Sequence, residues 1–309
     1  MPSSRRFKLC SCAVLLFFEI ALVSWLWYGE PPELIKVHFY SISWWPYLML
    51  VDTIADLLWG KSLLWNKPAG FLRIALFSIP FWTMYEILNV VLRNWAYIGL
   101  PGGDISIVRW SGYALAYASV LPAIRVYSDL LNNAPETKPH TAGPSGRRGI
   151  TVAAVSLSAV FVALFLAFPG KCFPLVWGFS FLITEPVMMR IASARSYLLE
   201  WLQGKWIFTL KTVCAGMLAG FTWEFLNWKA AAKWIYTLPP EVDFCRIFEM
   251  PILGYVGFGV FALCAESFSN IVLSDFEKKY PLAWRAMIGC GVIIVIIGFA
   301  CIDRHTWIR

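Results

Sequence analysis

Charge is what this sequence has least of. Only 15% of its 309 residues are Asp, Glu, Lys or Arg, while 59% are hydrophobic and the mean hydropathy is +0.63. A soluble domain of this length needs a charged surface, and this composition does not supply one. Histidine is nearly missing. His38, His140 and His305 stand in unrelated segments, so neither a Ser-His-Asp nor a Cys-His arrangement is credible. The eight cysteines are scattered, with no CxxC pair and no Cys/His cluster, which speaks against a structural zinc or di-iron site. There is no Walker loop and no GxGxxG following a strand, so nothing points to a bound nucleotide. No metal and no other cofactor is expected. No basic, aromatic-rich soluble patch exists either, and nucleic acid is not an expected partner.

What is present is a series of apolar runs of bilayer length, roughly 20 residues each. About nine are readable, at 10–28, 37–59, 72–92, 110–130, 150–168, 173–191, 207–227, 248–272 and 286–302. The expected fold class is therefore all-α, a polytopic membrane helix bundle with membrane lipid as its surroundings. Arg5, Arg6 and Lys8 precede the first run, which ends in Trp25-Leu26-Trp27-Tyr28 without a small-x-small cleavage pattern. It reads as a retained signal anchor. With the N-terminus placed in the cytoplasm, 17 of the 26 Lys and Arg residues fall on the cytoplasmic side and 9 on the other. That bias predicts N-inside and C-outside for nine spans, with a bacterial inner membrane as the expected setting. The only long polar stretch, rich in Pro and Gly, lies at 131–149 and reads as a cytoplasmic linker. It divides a first half, 1–130, from a second half, 150–272. A ninth span and a short outside tail follow at 273–309.

The two halves resemble each other. Residues 85–101 read YEILNVVLRNWAYIGLP, and residues 223–239 read WEFLNWKAAAKWIYTLP. Glu86 matches Glu224, Asn89 matches Asn227, Trp95 matches Trp234, Tyr97 matches Tyr236 and Pro101 matches Pro239. Weaker matches flank these, Trp44 and Asp52 with Trp177 and Glu185 upstream, and Gly112-Tyr113 with Gly254-Tyr255 downstream. The offset is an even number of spans, so the repeats of three to four helices are expected to run parallel, with the functional centre at their interface.

The acids are the chemistry-bearing residues. Trp82, Glu86, Asn89 and Arg93 share one helix face by their spacing, and Gly220, Glu224, Asn227 and Ala231 share the corresponding face. A carboxylate at mid-bilayer costs about 2.5–3.5 kcal/mol on insertion scales, so such residues usually face the bundle interior. A carboxylic acid beside an amide makes a donor pair in a dry site, the amide holding the acid's orientation. Glu86 and Glu224 are the expected proton donors, Asn89 and Asn227 their orienting groups, and Asp52 and Glu185 second acids or counter-charges. The 17 tryptophans exceed ordinary usage. Trp82, Trp95, Tyr97, Trp223, Trp234 and Tyr236 are the expected ligand-binding residues, because aromatic faces steady positive charge. An apolar small molecule is the expected ligand. Two other readings stay open: a proton-coupled transporter or lipid carrier, and a scaffold in which the acids only cross-link helices.

The paired acids Asp52/Glu86 and Glu185/Glu224, carried on repeated three-helix units, resemble those of the small integral-membrane carotenoid and terpene cyclases. The similarity is to the heterodimeric-type lycopene cyclase domain with two fused halves, over roughly residues 37–130 and 173–272. The acidic Pro-x-Glu-Glu signature of that family is absent, Thr184-Glu185-Pro186 being the nearest text. The resemblance implies cyclisation or isomerisation of an isoprenoid, initiated by a proton from an intramembrane acid without an obligatory metal.

Overall fold

The structure is a computed structural model that describes residues 2–103, 106–131, 144–191 and 196–309. It is predominantly helical. Ten helices carry the architecture: α1 (Pro2–Tyr28), α2 (Glu33–Trp59), α3 (Pro68–Leu92), α4 (Ser106–Tyr117), α5 (Val120–Leu131), α6 (Pro144–Ala167), α7 (Leu175–Met188), α8 (Ile207–Trp228), α9 (Ile252–Leu273) and α10 (Pro281–Cys301). Among the described residues, five stretches of helix are long and apolar enough to cross a membrane: Ser4–Tyr28, Pro68–Leu92, Arg147–Ala167, Ile252–Leu273 and Pro281–Thr306.

The other four expected spans take different forms. The run at 110–130 is two helices, α4 and α5, with a turn at residues 118–119. Pro122 has no N–H to offer the carbonyl of Ala118, so the helical ladder is interrupted there. The run at 173–191 holds α7, whose 14 residues extend only about 21 Å at 1.5 Å per residue. Helices α2 and α8 have the length, at 27 and 22 residues. They carry Lys36, Asp52 and Asp56, and Lys211 and Glu224, within their apolar sequence. Most of the expected linker, residues 132–143, lies outside the described residues.

Outward-facing apolar side chains and small-residue contacts between helices are both in place. Helices α1, α6 and α10 expose runs of Val, Ile, Leu and Phe, including Val14, Phe17, Val160, Ile293 and Ile296. Where helices touch, glycine lets backbones approach, as in membrane bundles. Gly291 and Gly298 of α10 lie against Pro80 and Thr83 of α3, and Gly216 of α8 lies against Phe258 and Ala262 of α9. Polar cross-links join other pairs of helices in the interior. Ser43 donates to Glu19 at 2.5 Å between α2 and α1, and the Tyr85 and Ser180 hydroxyls pair at 2.6 Å between α3 and α7.

Two short antiparallel ribbons interrupt the helical pattern. The first joins β1 (Trp95–Ile98), just after α3, to β2 (Lys233–Tyr236), just after α8. The second, Arg246–Ile247 with Met250–Pro251, leads into α9. The first ribbon pairs Trp95 with Tyr236, Ala96 with Ile235, Tyr97 with Trp234 and Ile98 with Lys233. The chain's last turn docks on it, with the Ile308 amide donating to the Tyr97 carbonyl at 2.8 Å.

Candidate functional site

The site is built at the ends of α3 and α8, where each helix stops and its chain folds back as a strand. Arg93 ends α3 in the left-handed conformation, with φ 53°. The Asn89 side chain, one turn earlier, fixes the fold-back. Its Nδ2 donates to the Trp95 carbonyl at 2.8 Å, and its Oδ1 accepts from the amides of Asn94 and Trp95 at 2.8 and 3.3 Å. Asn227 does the same after α8, donating to the Trp234 carbonyl at 2.9 Å and accepting from the Trp234 amide at 3.0 Å. Neither amide bonds its neighbouring glutamate. Each holds the backbone of the strand that brings partners to it.

Those partners are the strand's indole and phenol. Glu86 Oε1 accepts from Tyr97 Oη at 2.6 Å and Trp82 Nε1 at 2.8 Å, and its Oε2 accepts from Trp95 Nε1 at 3.1 Å. Glu224 Oε1 accepts from Tyr236 Oη at 2.7 Å and Trp234 Nε1 at 3.1 Å. The two sides then differ. Both oxygens of Glu86 are engaged, whereas Glu224 Oε2 is buried with no partner. The strand indoles make the difference: Trp95 Nε1 reaches Glu86 Oε2, whereas Trp234 Nε1 donates to Glu224 Oε1 and to Tyr236 Oη. Glu86 also has a third donor, Trp82, whose counterpart one turn before Glu224 is Gly220, with the Phe258 ring beside it. Both carboxyls are fully buried. Burial holds the Tyr97 and Tyr236 hydroxyls well above the usual tyrosine range, and the adjacent carboxylates push them further up, so both remain donors.

The ribbon gathers these residues on one face. Residues two apart on a strand, and residues directly opposite across a ladder, share a side of the sheet. Trp95, Tyr97, Trp234 and Tyr236 therefore stand together. They line a partly open cavity of about 170 Å³, together with Trp82 of α3, Tyr113 and Tyr117 of α4, Trp177 of α7 and Trp223 of α8. His38, Tyr40 and Ser41 of α2 also line it. All six aromatic residues expected from the sequence are on this wall. Glu86 and Glu224 lie behind it and meet it through Tyr97 and Tyr236. The Tyr97 hydroxyl also pairs with Tyr117 at 3.0 Å.

Two cations lie on the wall, and each has its own anion. Arg109 pairs with Asp303 at 2.9 Å, and Lys233 pairs with Glu249 at 2.5 Å. Asp303 also accepts from Trp110 at 3.0 Å and Tyr113 at 3.0 Å, tying the chain's end to α4.

The remaining two expected site residues lie elsewhere. Asp52 accepts from the Ser62 hydroxyl and the Leu63 amide, and Ser62 caps the short helix Leu63–Asn66. Glu185 accepts from Ser196 at 2.7 Å, the Leu198 amide at 3.1 Å and Ser267 at 2.7 Å, and Ser196 caps the helix Tyr197–Trp201. No hydrogen bond joins either acid to Glu86 or Glu224. They match each other in another task, each holding the loop that starts the next short helix. Sequence reasoning missed Tyr117, Tyr113, Arg109 and Asp303. Arg109, a basic residue at the edge of the 110–130 apolar run, was the available signal. Among the described residues, no group of three or more His, Cys, Asp or Glu side chains is placed to hold a metal ion. Compared with protein-family models, curated proteins and solved structures, the chain matches none.

Proposed function

We propose that this membrane protein binds an apolar, membrane-derived molecule in the aromatic cavity between its halves and transforms it by intramembrane acid chemistry. The class is proton-initiated cyclisation or isomerisation of an isoprenoid. The observation that carries this reading is the shared wiring: both buried acids meet one cavity through tyrosine and tryptophan donors of paired strands. In this reading Glu224 is the net acid. At rest its proton sits on the unengaged Oε2, since its Oε1 already takes both donors. For delivery the carboxyl turns so that its O–H donates to Tyr236 Oη, and Tyr236 takes that proton as its own, released from Oε1, passes to a ligand alkene. The ligand becomes a carbocation and Glu224 a carboxylate, so charge is conserved, and the indole faces steady the cation.

The same reading takes the chain as nine spans in two parallel repeats, with the N-terminus cytoplasmic, the ribbon on the outer side and a bacterial inner membrane as its place. Support for the repeats is the common set of Asn, Glu, Trp and Tyr contacts at the ends of α3 and α8. The test is the apolar lipid profile of cells producing the protein, compared with Glu224→Gln and Tyr236→Phe. A new isoprenoid product with the wild type, lost in both variants, is the expected result. An unchanged profile in all three would remove the enzymatic reading and leave a binding protein.

A further inference from the structure

We infer that the cavity is a cation site and takes ligands bearing a quaternary ammonium or an equivalent positive centre. This rests on the cavity being the ligand site, and it does not require turnover. Three observations lead there. The wall is a box of indole and phenol faces from both halves, with Trp82, Trp95, Trp223 and Trp234 among them, and indole is the best cation-binding face. The two cations on the wall are each taken by an anion of their own, Arg109 by Asp303 and Lys233 by Glu249. Glu86 and Glu224 have no such partner: among the described residues, no Lys, Arg or His reaches either carboxyl within salt-bridge distance.

The bonding of Glu86 fits an ionised group. It accepts from three donors, two indole N–H groups and a phenol, through both oxygens. Buried carboxylates lacking a counter-cation are expensive, and a cation lodged between the aromatic faces offsets that cost. The cationic centre has two possible sources, a lipid headgroup or a carbocation formed on the ligand. Both present the same charge to the same wall.

The experiment measures quenching of tryptophan fluorescence in the purified full-length protein in a neutral detergent. The probes are dodecyltrimethylammonium and its uncharged carbon isostere, in which a tert-butyl group replaces the trimethylammonium. The wild type is expected to bind the ammonium about tenfold more tightly than the isostere. Glu86→Gln should abolish that preference while still binding the isostere, which shows that the variant is folded. Trp223→Leu should reduce the preference with both acids intact. Equal affinity for the two probes, or a preference that survives Glu86→Gln, overturns the inference. Two further arms separate the sources. Displacement of the probe by phosphatidylcholine but not phosphatidylglycerol in nanodiscs indicates a headgroup. Failure of both lipids to displace it, with inhibition of isoprenoid conversion by the ammonium, indicates a carbocation. Absence of any conversion would end the enzymatic reading yet leave the ammonium preference standing.

Discussion

Glu86 and Glu224 each accept from a strand tyrosine and a strand tryptophan but differ in what else surrounds them, and Gln substitution should separate them. A Gln at 86 turns one acceptor into an NH₂ facing indole or phenol donors. Glu86→Gln should cost about 1–3 kcal/mol, the penalty for buried polar groups left unpaired. A Gln at 224 can keep its carbonyl toward Tyr236 and Trp234 and place its NH₂ where Oε2 now has no partner. Glu224→Gln should therefore change stability by less than about 1 kcal/mol while removing the acid. Thermal unfolding of the two variants in detergent checks the ordering, and equal losses would mean the two acids are equivalent. Asn89→Ala should be costly as well, about 2 kcal/mol or more, since it strips the buried amides of Asn94 and Trp95 of their acceptor. The same measurement reads it. These residues were legible because a charged or amide side chain in an apolar run invites explanation. The bonds they make were not. The Glu-x-x-Asn spacing suggests an acid held by its own amide, whereas the amide's reach is to a strand six residues on.

At the scale of elements, the ribbon is the unit that matters. Its tightest point is Gly99, just past β1, with φ +66° and the Ala231 carbonyl standing where a β-carbon would go. Any side chain there meets backbone and adopts a left-handed conformation that costs about 1–2 kcal/mol by itself. Gly99→Ala should loosen the β1–β2 pairing and lower thermal stability, with increased hydrogen exchange at residues 95–98 and 233–236. Unaltered exchange there would mean that the ribbon does not depend on this contact. The helices α1, α3, α6, α9 and α10 were readable from composition, with ends within about two residues but with the starts of α1, α6 and α10 set five to eight residues late. The ribbon was not, because its strands are four residues long and 138 positions apart. Period-2 patterning over four residues is weak beside the helical signal. The break before Pro122 was missed for a related reason. Apolar composition continues through it, and only the missing N–H interrupts the helix.

For the whole molecule, the open property is how the chain sits in the bilayer. The proposed nine-span arrangement puts Cys245, exposed beside the ribbon, on the side opposite the N-terminus. In sealed, right-side-out spheroplasts whose other cysteines are replaced by Ala or Ser, Cys245 should react with an impermeant maleimide. A cysteine introduced at Lys278 should react only after lysis. The reverse pattern would invert the topology, and labelling of both from outside would reduce the number of spans. The membrane class was legible from bulk composition, a sum over the whole chain. The site was only half legible. The sequence match between residues 85–101 and 223–239 named the residues, but their meeting in one cavity depends on packing between helices distant in sequence.

The central claim is that the aromatic cavity holds a ligand in contact with the groups backed by Glu224 and Glu86. An experimental structure of the protein purified in native lipid tests it most directly. The account predicts elongated non-protein density in the cavity, against Trp223, Trp234 and Tyr236. A cavity collapsed to a dry seam, with Tyr97 and Tyr236 in contact across it and no ligand density, would contradict the account and leave the two acids as cross-links between helix ends.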